Sequence, residues 1–169
     1  MKRSLIVLLM SLICSTSFAK IKITSGSNDF LKSNSTAVLV FDYSETTWEE
    51  DELYKSWCGD EYEERVNISV RSFIRGFNEN SSALKIKQED TSAKYRIIFK
   101  VENLEQKNGG RGWGRFYVLC YGVITIHDIE TGKDVCVISV KKEAGSADYS
   151  QNDRIASCFN EIGEKVADF

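Results

Sequence analysis

Alternation of apolar and polar residues predicts most of the β-structure in this chain. The clearest case is 93–104, in which Tyr95, Ile97 and Phe99 fall on one face and Arg96 falls on the other. Gly132 lies where a hairpin turn between the last two runs needs a left-handed residue. We predict strands over 20–24, 36–44, 83–88, 93–104, 115–129 and 131–140.

Two other segments repeat apolar residues at the spacing of an amphipathic helix. Val66, Val70, Phe73 and Phe77 fall at intervals of four, three and four, which predicts a helix over 60–78. A second stripe predicts a helix at the end of the sequence. Its members are Ile155, Phe159, Ile162, Val166 and Phe169.

Short polar patterns predict where helices begin. Ser150 with Asp153 resembles a capping box ahead of the last helix. Thr47 with Glu50 resembles another, so we expect a shorter helical segment before residue 60.

The order of elements predicts the fold class. It is strand, helix, three or four strands, and helix, with no internal repeat and no low-complexity linker. This order favours a two-layer α+β fold, with a mostly antiparallel sheet of four to five strands and two main helices packed on one face. We therefore expect one domain over 20–169.

The first nineteen residues have the pattern of a signal peptide. Lys2 and Arg3 precede the apolar stretch 5–14, which is too short for a stable bilayer anchor. Small residues follow and end at Ala19, so we expect cleavage after that residue and an exported protein, periplasmic or secreted.

A lipoprotein is the alternative interpretation of this leader. Cys14 would then carry the lipid, but Ile13 is larger than the small residue expected before a lipidated cysteine. No later stretch is apolar enough to cross a membrane.

Charge excludes some classes of partner. Removing Lys2 and Arg3 leaves 20 of the 22 basic residues against 25 acidic ones, a net charge of about −5. Nucleic acids and anionic membranes require a basic surface, so the sequence argues against both.

Trp57, Cys58 and Gly59 together resemble the start of a thioredoxin-type redox site. Dithiol chemistry needs a second, nearby cysteine, and Asp60 and Glu61 follow instead. The chain also contains no proline, whereas the thioredoxin fold places a cis-proline beside its site. We conclude that the resemblance is a coincidence.

The mature chain keeps four cysteines, which could form two disulfides or remain buried thiols. They are Cys58, Cys120, Cys136 and Cys158. If Ile129 faces Lys133 in the last hairpin, Cys136 lies opposite residue 126 and Cys120 opposite residue 142. That offset is about 20 Å, too far for a bond between these two. With both helices on one sheet face, Cys58 and Cys158 are the pair we predict.

Catalytic chemistry has few candidates. His127 is the only histidine, and Asp128 beside it points to the opposite face of a strand, so no catalytic residue, cofactor or metal site is predicted. Acidic residues cluster at 49–52 and 60–64, where paired carboxylates could serve a glycosidase. Acids at a helix start also stabilise its dipole, which is the simpler interpretation.

The stretch 108–116 is the most unusual in the sequence, with four glycines around one tryptophan. It lies between two predicted strands, whereas phosphate-binding loops lie between a strand and a helix. Arg111, Trp113 and Arg115 are predicted as a contact patch, since tryptophan and arginine dominate binding hot spots. The alternative is a long hairpin loop whose tryptophan folds back onto the sheet.

Several segments together resemble small, uncharacterised secreted proteins of Bacteroidetes-type bacteria. They are VLVFDYSETTW, SFIRGFNE, AKYRIIFKVENL, GVITIHDIETGKDVCVISV and NDRIASCFNEIGEKVADF. More remotely, they are similar to the α+β domain of envelope assembly factors, namely CsgG, LpoB and the amino-terminal domain of TolB. The resemblance implies protein–protein contacts in the envelope and transfers no catalytic residue. The absence of a lipidation motif departs from the lipoprotein members.

These observations favour an exported, non-enzymatic domain that binds another protein of the cell envelope or extracellular space, as a protein-binding or envelope-assembly accessory factor. A carboxylate-dependent hydrolase of envelope or extracellular glycans is the first alternative. A purely structural module of a larger assembly is the second.

Overall fold

The computed structural model describes residues 21–108, 116–144 and 150–169. Its strands are β1 (Ile21–Gly26), β2 (Thr36–Asp42), β3 (Thr47–Trp48), β4 (Glu52–Leu53), β5 (Lys85–Lys87), β6 (Tyr95–Asn108), β7 (Phe116–Asp128) and β8 (Lys133–Ala144). Its helices are α1 (Tyr54–Cys58), α2 (Tyr62–Asn80) and α3 (Gln151–Ala167), with 3₁₀ turns at Asp29–Lys32 and Gly59–Glu61.

The eight strands form one sheet, so the predicted count of four to five is wrong. The strand order is β1-β8-β7-β6-β2-β5, with β3 pairing with β6 and with β4. The α+β class and the mostly antiparallel pairing do fit the sequence prediction. The count failed partly because β3 and β4 have two residues each, too few to show a periodicity.

Parallel pairing is confined to one side of the sheet. β2 pairs in parallel with both β5 and β6. The chain leaves β2, passes through α1 and α2, and returns as β5, because two adjacent parallel strands require a long crossover. The long strands β6, β7 and β8 then follow one another as antiparallel hairpins.

The register of the last hairpin agrees with the sequence argument in the middle and differs from it at both ends. Cys136 lies opposite Ile126, as predicted, although Lys133 faces Asp128 rather than Ile129. A second irregularity places Cys120 opposite Glu143 rather than residue 142. Gly132 has φ of +66°, the left-handed conformation expected of it in the turn.

The core lies between α2, α3 and one face of the sheet. Alternate residues of β6 and β7 are fully buried on this face, and they join one apolar cluster with the helical stripes. Phe41, Phe73, Phe99 and Phe159 meet at its centre, with ring centroids 5.1–5.9 Å apart in the contacting pairs. The prediction that both helices pack on one face is therefore consistent with the structure.

The ends of the helices show which capping predictions were correct. The Ser150 hydroxyl accepts a hydrogen bond from Asp153 N at 3.0 Å, which confirms the N-cap of α3. Four members of the stripe of α3 are buried, but Phe169 lies beyond the helix and is 37% exposed. Thr47 starts no helix, because it belongs to β3.

Helices α2 and α3 touch through two glycines. A Cβ atom on Gly76 would lie 2.2 Å from the Asn160 carbonyl oxygen, and one on Gly163 would lie 2.3 Å from the Phe73 carbonyl oxygen. Both distances are far below van der Waals contact with rigid backbone, so only glycine allows this separation of the helices. The same separation determines how the two stripes reach the sheet.

The turn between β3 and β4 has an unusual backbone. Glu49 and Glu50 both have positive φ, 53° and 67°, and Asp51 N donates to the Trp48 carbonyl at 3.2 Å. Turns of this kind favour Asn-Gly, because other side chains meet the backbone in the left-handed region. Asn103 Oδ1 accepts a hydrogen bond from Glu50 N at 3.1 Å and so helps to hold the turn.

Replacing Gly163 with alanine should lower the free energy of unfolding by about 1–3 kcal/mol, because the added methyl group forces the two helices apart. Urea denaturation followed by circular dichroism measures this change. Glu79→Ala, on the exposed side of α2, is the matched control and should change stability by less than about 0.5 kcal/mol. An equal effect of the two substitutions would contradict the close helix contact.

Replacing Glu50 with glycine should raise the free energy of unfolding by about 1 kcal/mol, since glycine removes the strain of the left-handed conformation. Asp51→Gly is the control, because Asp51 is not among the residues with positive φ and gains nothing from glycine. Thermal denaturation of both variants distinguishes the two positions. A less stable Glu50→Gly protein would show that the side chain, and not the strain, decides the conformation of this turn.

Candidate protein-binding surface

In the parts of the chain that the structure describes, the two long helices cover one face of the sheet and leave the other uncovered. We call the uncovered side the open face. Its centre consists of three rows of side chains that cross the strands, each defined by the strand register. The first row is Val38, Arg96, His127 and Asp134; the second is Val40, Ile98, Thr125 and Val137; the third is Asp42, Lys100, Val123, Ser139 and Lys22.

The second row is apolar except for one threonine. Val40 is 43% exposed, which makes it one of the most exposed large apolar residues in the described chain. Ile98 and Val137 are half-buried, although neither belongs to the core cluster. A sheet covered on one side ordinarily shows polar residues on the other, so three apolar residues among the four of this row make this face a candidate contact surface.

The charged residues beside this row are held in defined positions. Lys100 Nζ contacts Glu45 Oε2 at 2.7 Å, and this hydrogen bond raises the pKa of Lys100. Two hydrogen bonds from Ser44 lower the pKa of Asp42. These interactions keep both groups charged near neutral pH in the third row, on one side of the apolar row.

His127 is part of the first row and pairs with a carboxylate from the neighbouring strand. Its Nδ1 lies 2.9 Å from Asp134 Oδ1, on the neighbouring strand. Asp128, its neighbour in sequence, is buried and accepts hydrogen bonds from Thr131 in the turn. The prediction that His127 and Asp128 point to opposite faces of the strand is correct.

A polar cluster lies beyond the third row, next to a bulge in β6. Asn103 and Glu105 are each 8% exposed, and Asn103 Nδ2 donates to Glu105 Oε1 at 3.2 Å. Lys107 Nζ lies 3.1 Å from Glu105 Oε2. Burial, and then the negative charge of Glu105, raises the pKa of Tyr121 to about 12. The cluster is internally satisfied and forms one border of the open face.

Stacked aromatic and arginine side chains occupy the edge at which β3 and α1 meet α2. Trp48 and Trp57 stack with ring centroids 3.8 Å apart, and the Arg65 guanidinium lies 4.5 Å from the centroid of Trp57. Because Trp48 already covers one side of the Trp57 ring, Arg65 must lie on the other. Trp57 thus has a packing role that is unrelated to the rejected redox fragment.

The predicted contact patch Arg111, Trp113 and Arg115 lies outside the described residues, so it stays a prediction. The strands that flank it are described as far as the pair Asn108 and Phe116.

Most of the cysteine prediction also stays untested. All four cysteines are buried, and none forms a disulfide with another in the structure. Burial raises the pKa of the Cys136 thiol, which disfavours the reactive thiolate. The Cys58–Cys158 pair stays a prediction that peptide mapping after non-reducing digestion can check.

The acidic clusters do not converge. The acids of 49–52 lie on the β3–β4 turn and those of 60–64 at the start of α2, and every one of them is exposed. Among the described residues, no group of three acidic, histidine or cysteine side chains could hold a metal ion. A glycosidase needs two carboxylates aimed at one bond inside a cleft, and these residues do not form that arrangement.

No protein-family model matches the chain, and no curated protein matches it. Among solved structures, it is similar to the PelC dodecamer from Paraburkholderia phytofirmans in space group P6, with a TM-score of 0.44 and 14% identity, over 85% of this chain and 96% of that chain. A variant of the same dodecamer in space group C2 gives a TM-score of 0.42 and 14% identity, over 87% and 97%. Similarity at this level carries no argument about fold, function or assembly. None of these comparisons bears on the resemblance to CsgG, LpoB and TolB.

Proposed function

We propose that this protein is an exported, non-enzymatic protein-binding domain, and that it binds its partner through the open face. Export is expected from the leader pattern of 1–19. The partner is another protein of the cell envelope or extracellular space, which the protein serves as an accessory or assembly factor.

One observation carries the proposal, the apolar second row on the uncovered side of the sheet. Strand propensity accounts for isolated valine and isoleucine residues on a solvated face. It does not account for Val40, Ile98 and Val137 lying in one line across β2, β6 and β8. Contiguous apolar surface bordered by charged residues is typical of protein–protein contacts.

The position of the acidic residues supports this proposal over the hydrolase. The exposed acids lie on a turn and a helix start, so no described feature favours the hydrolase. In the described chain, no helix is both long enough and apolar enough to span a bilayer.

Site-specific photocrosslinking in the organism of origin tests this function. A photoreactive amino acid at Val40 or Thr125, within the second row, should give a discrete covalent adduct with a protein. The same amino acid at Arg71, on the exposed side of α2, is the matched control and should give none. Adduct formation would be followed by mass on immunoblots and by peptide mass spectrometry.

The absence of adducts from both open-face positions would contradict the proposal, and so would equal yields from Arg71. As a second readout, Ile98→Asp should abolish the adduct formed from Thr125, because burying an unpaired charge in the apolar row costs more free energy than the contact gains. Retention of the native circular dichroism spectrum separates this loss from unfolding.

A further inference from the structure

We propose that the protein covering the open face is a second copy of this chain, packed sheet to sheet. The two copies are related by a two-fold axis that lies between the two sheets, parallel to the strands and above the gap between β6 and β7. This inference rests on the proposed function, because it names the partner of the same surface. It follows from the order of side chains in the three rows.

A two-fold axis fixes which row of the second copy each row faces. The rows cross the four strands β2, β6, β7 and β8, and an axis between β6 and β7 lies at their centre. With the axis parallel to the strands, each row faces the same row of the second copy in reversed order. With the axis across the strands, the first and third rows exchange.

The parallel axis makes the second row complementary to itself. Val40 of one copy meets Val137 of the second copy, and Ile98 meets Thr125. The apolar line is thus covered along its whole length by itself. Sheets pack in this way about 10 Å apart with their strands within about 30° of each other.

The same axis also brings opposite charges within one strand of each other. Arg96 meets His127 of the second copy and lies one strand from its Asp134. Asp42 meets Ser139 and lies one strand from Lys22. Arg96 makes no ion pair with another described residue of its own chain, so its charge remains available for this contact.

The axis across the strands fails the charge test. It would place Arg96 directly against Lys100 of the second copy, and symmetry would repeat that contact. Like charges facing each other in an interface cost several kcal/mol. The direct contact of like charges therefore favours the axis parallel to the strands over the axis across them.

The area of the open face is sufficient for a dimer. The six strands from β1 to β5 in the sheet order, about 4.8 Å apart, and the seven residues of β2, about 3.3 Å each, give a surface of roughly 600–700 Å² per copy. Burial of two such surfaces gives about 1,200–1,400 Å², within the range of specific interfaces.

Charge exchange between Arg96 and Asp134 is the decisive experiment. The purified mature protein should be a dimer in sedimentation-velocity and light-scattering measurements. Arg96→Glu lies one strand from Asp134 of the second copy, and Asp134→Arg lies one strand from its Arg96, so each brings like charges close together and should raise the dimer dissociation constant at least about tenfold. The Arg96→Glu/Asp134→Arg double variant restores opposite charges and should recover an affinity within about threefold of the wild type.

Arg71→Glu, on the exposed side of α2, is the control and should leave the dissociation constant unchanged. A wild-type protein that stays monomeric at about 50 μM, above the micromolar range of such interfaces, would overturn the self-association. A dimer that neither single variant weakens, or that the double variant fails to restore, would overturn this arrangement.

The failure of this inference can be told apart from the failure of the proposed function. If the protein is monomeric but Val40 and Thr125 crosslink to a different protein, the open face still binds a partner and only its identity changes. If the protein is monomeric and neither position crosslinks, both proposals are wrong. Adducts of twice the chain mass, formed between two tagged copies, would support the open face as a binding surface and would identify a second copy, and not a different protein, as its occupant.

Discussion

The close contact of α2 with α3 determines the rest of this structure. Gly76 and Gly163 let the two backbones approach, so that both apolar stripes reach the same face of the sheet side by side. A larger residue at either position would widen the helical layer and separate Phe73 from Phe159 in the aromatic centre. Because both helices share one face, the opposite face of the sheet is left without a covering layer.

Long periodic elements of this fold could be predicted from sequence, because their signal repeats over many residues. Helix α2 begins within two residues of its predicted start, and the N-cap of α3 was predicted from Ser150 and Asp153. These predictions succeeded where a local pattern and the tertiary structure agree.

Other features depend on information that no local pattern contains. Thr47 and Glu50 have the residue types of a capping box, yet Glu50 adopts a left-handed conformation that Asn103, more than fifty residues later, helps to stabilise. The open face is a similar case. The sequence shows that Val40, Ile98 and Val137 are apolar, but only the strand order and register place them in one row.

The position of β1 has a consequence for biogenesis. Ile21, at the start of the described chain, pairs with Val140 on β8, whereas β6, β7 and β8 pair with their immediate neighbours in sequence. Distant pairings close larger loops and form late, so β1 cannot join the sheet until nearly the whole polypeptide has been made. In an exported chain this strand would pass through the translocation machinery with its backbone groups unpaired. We expect chaperones to bind the segment until β8 is available to pair with it.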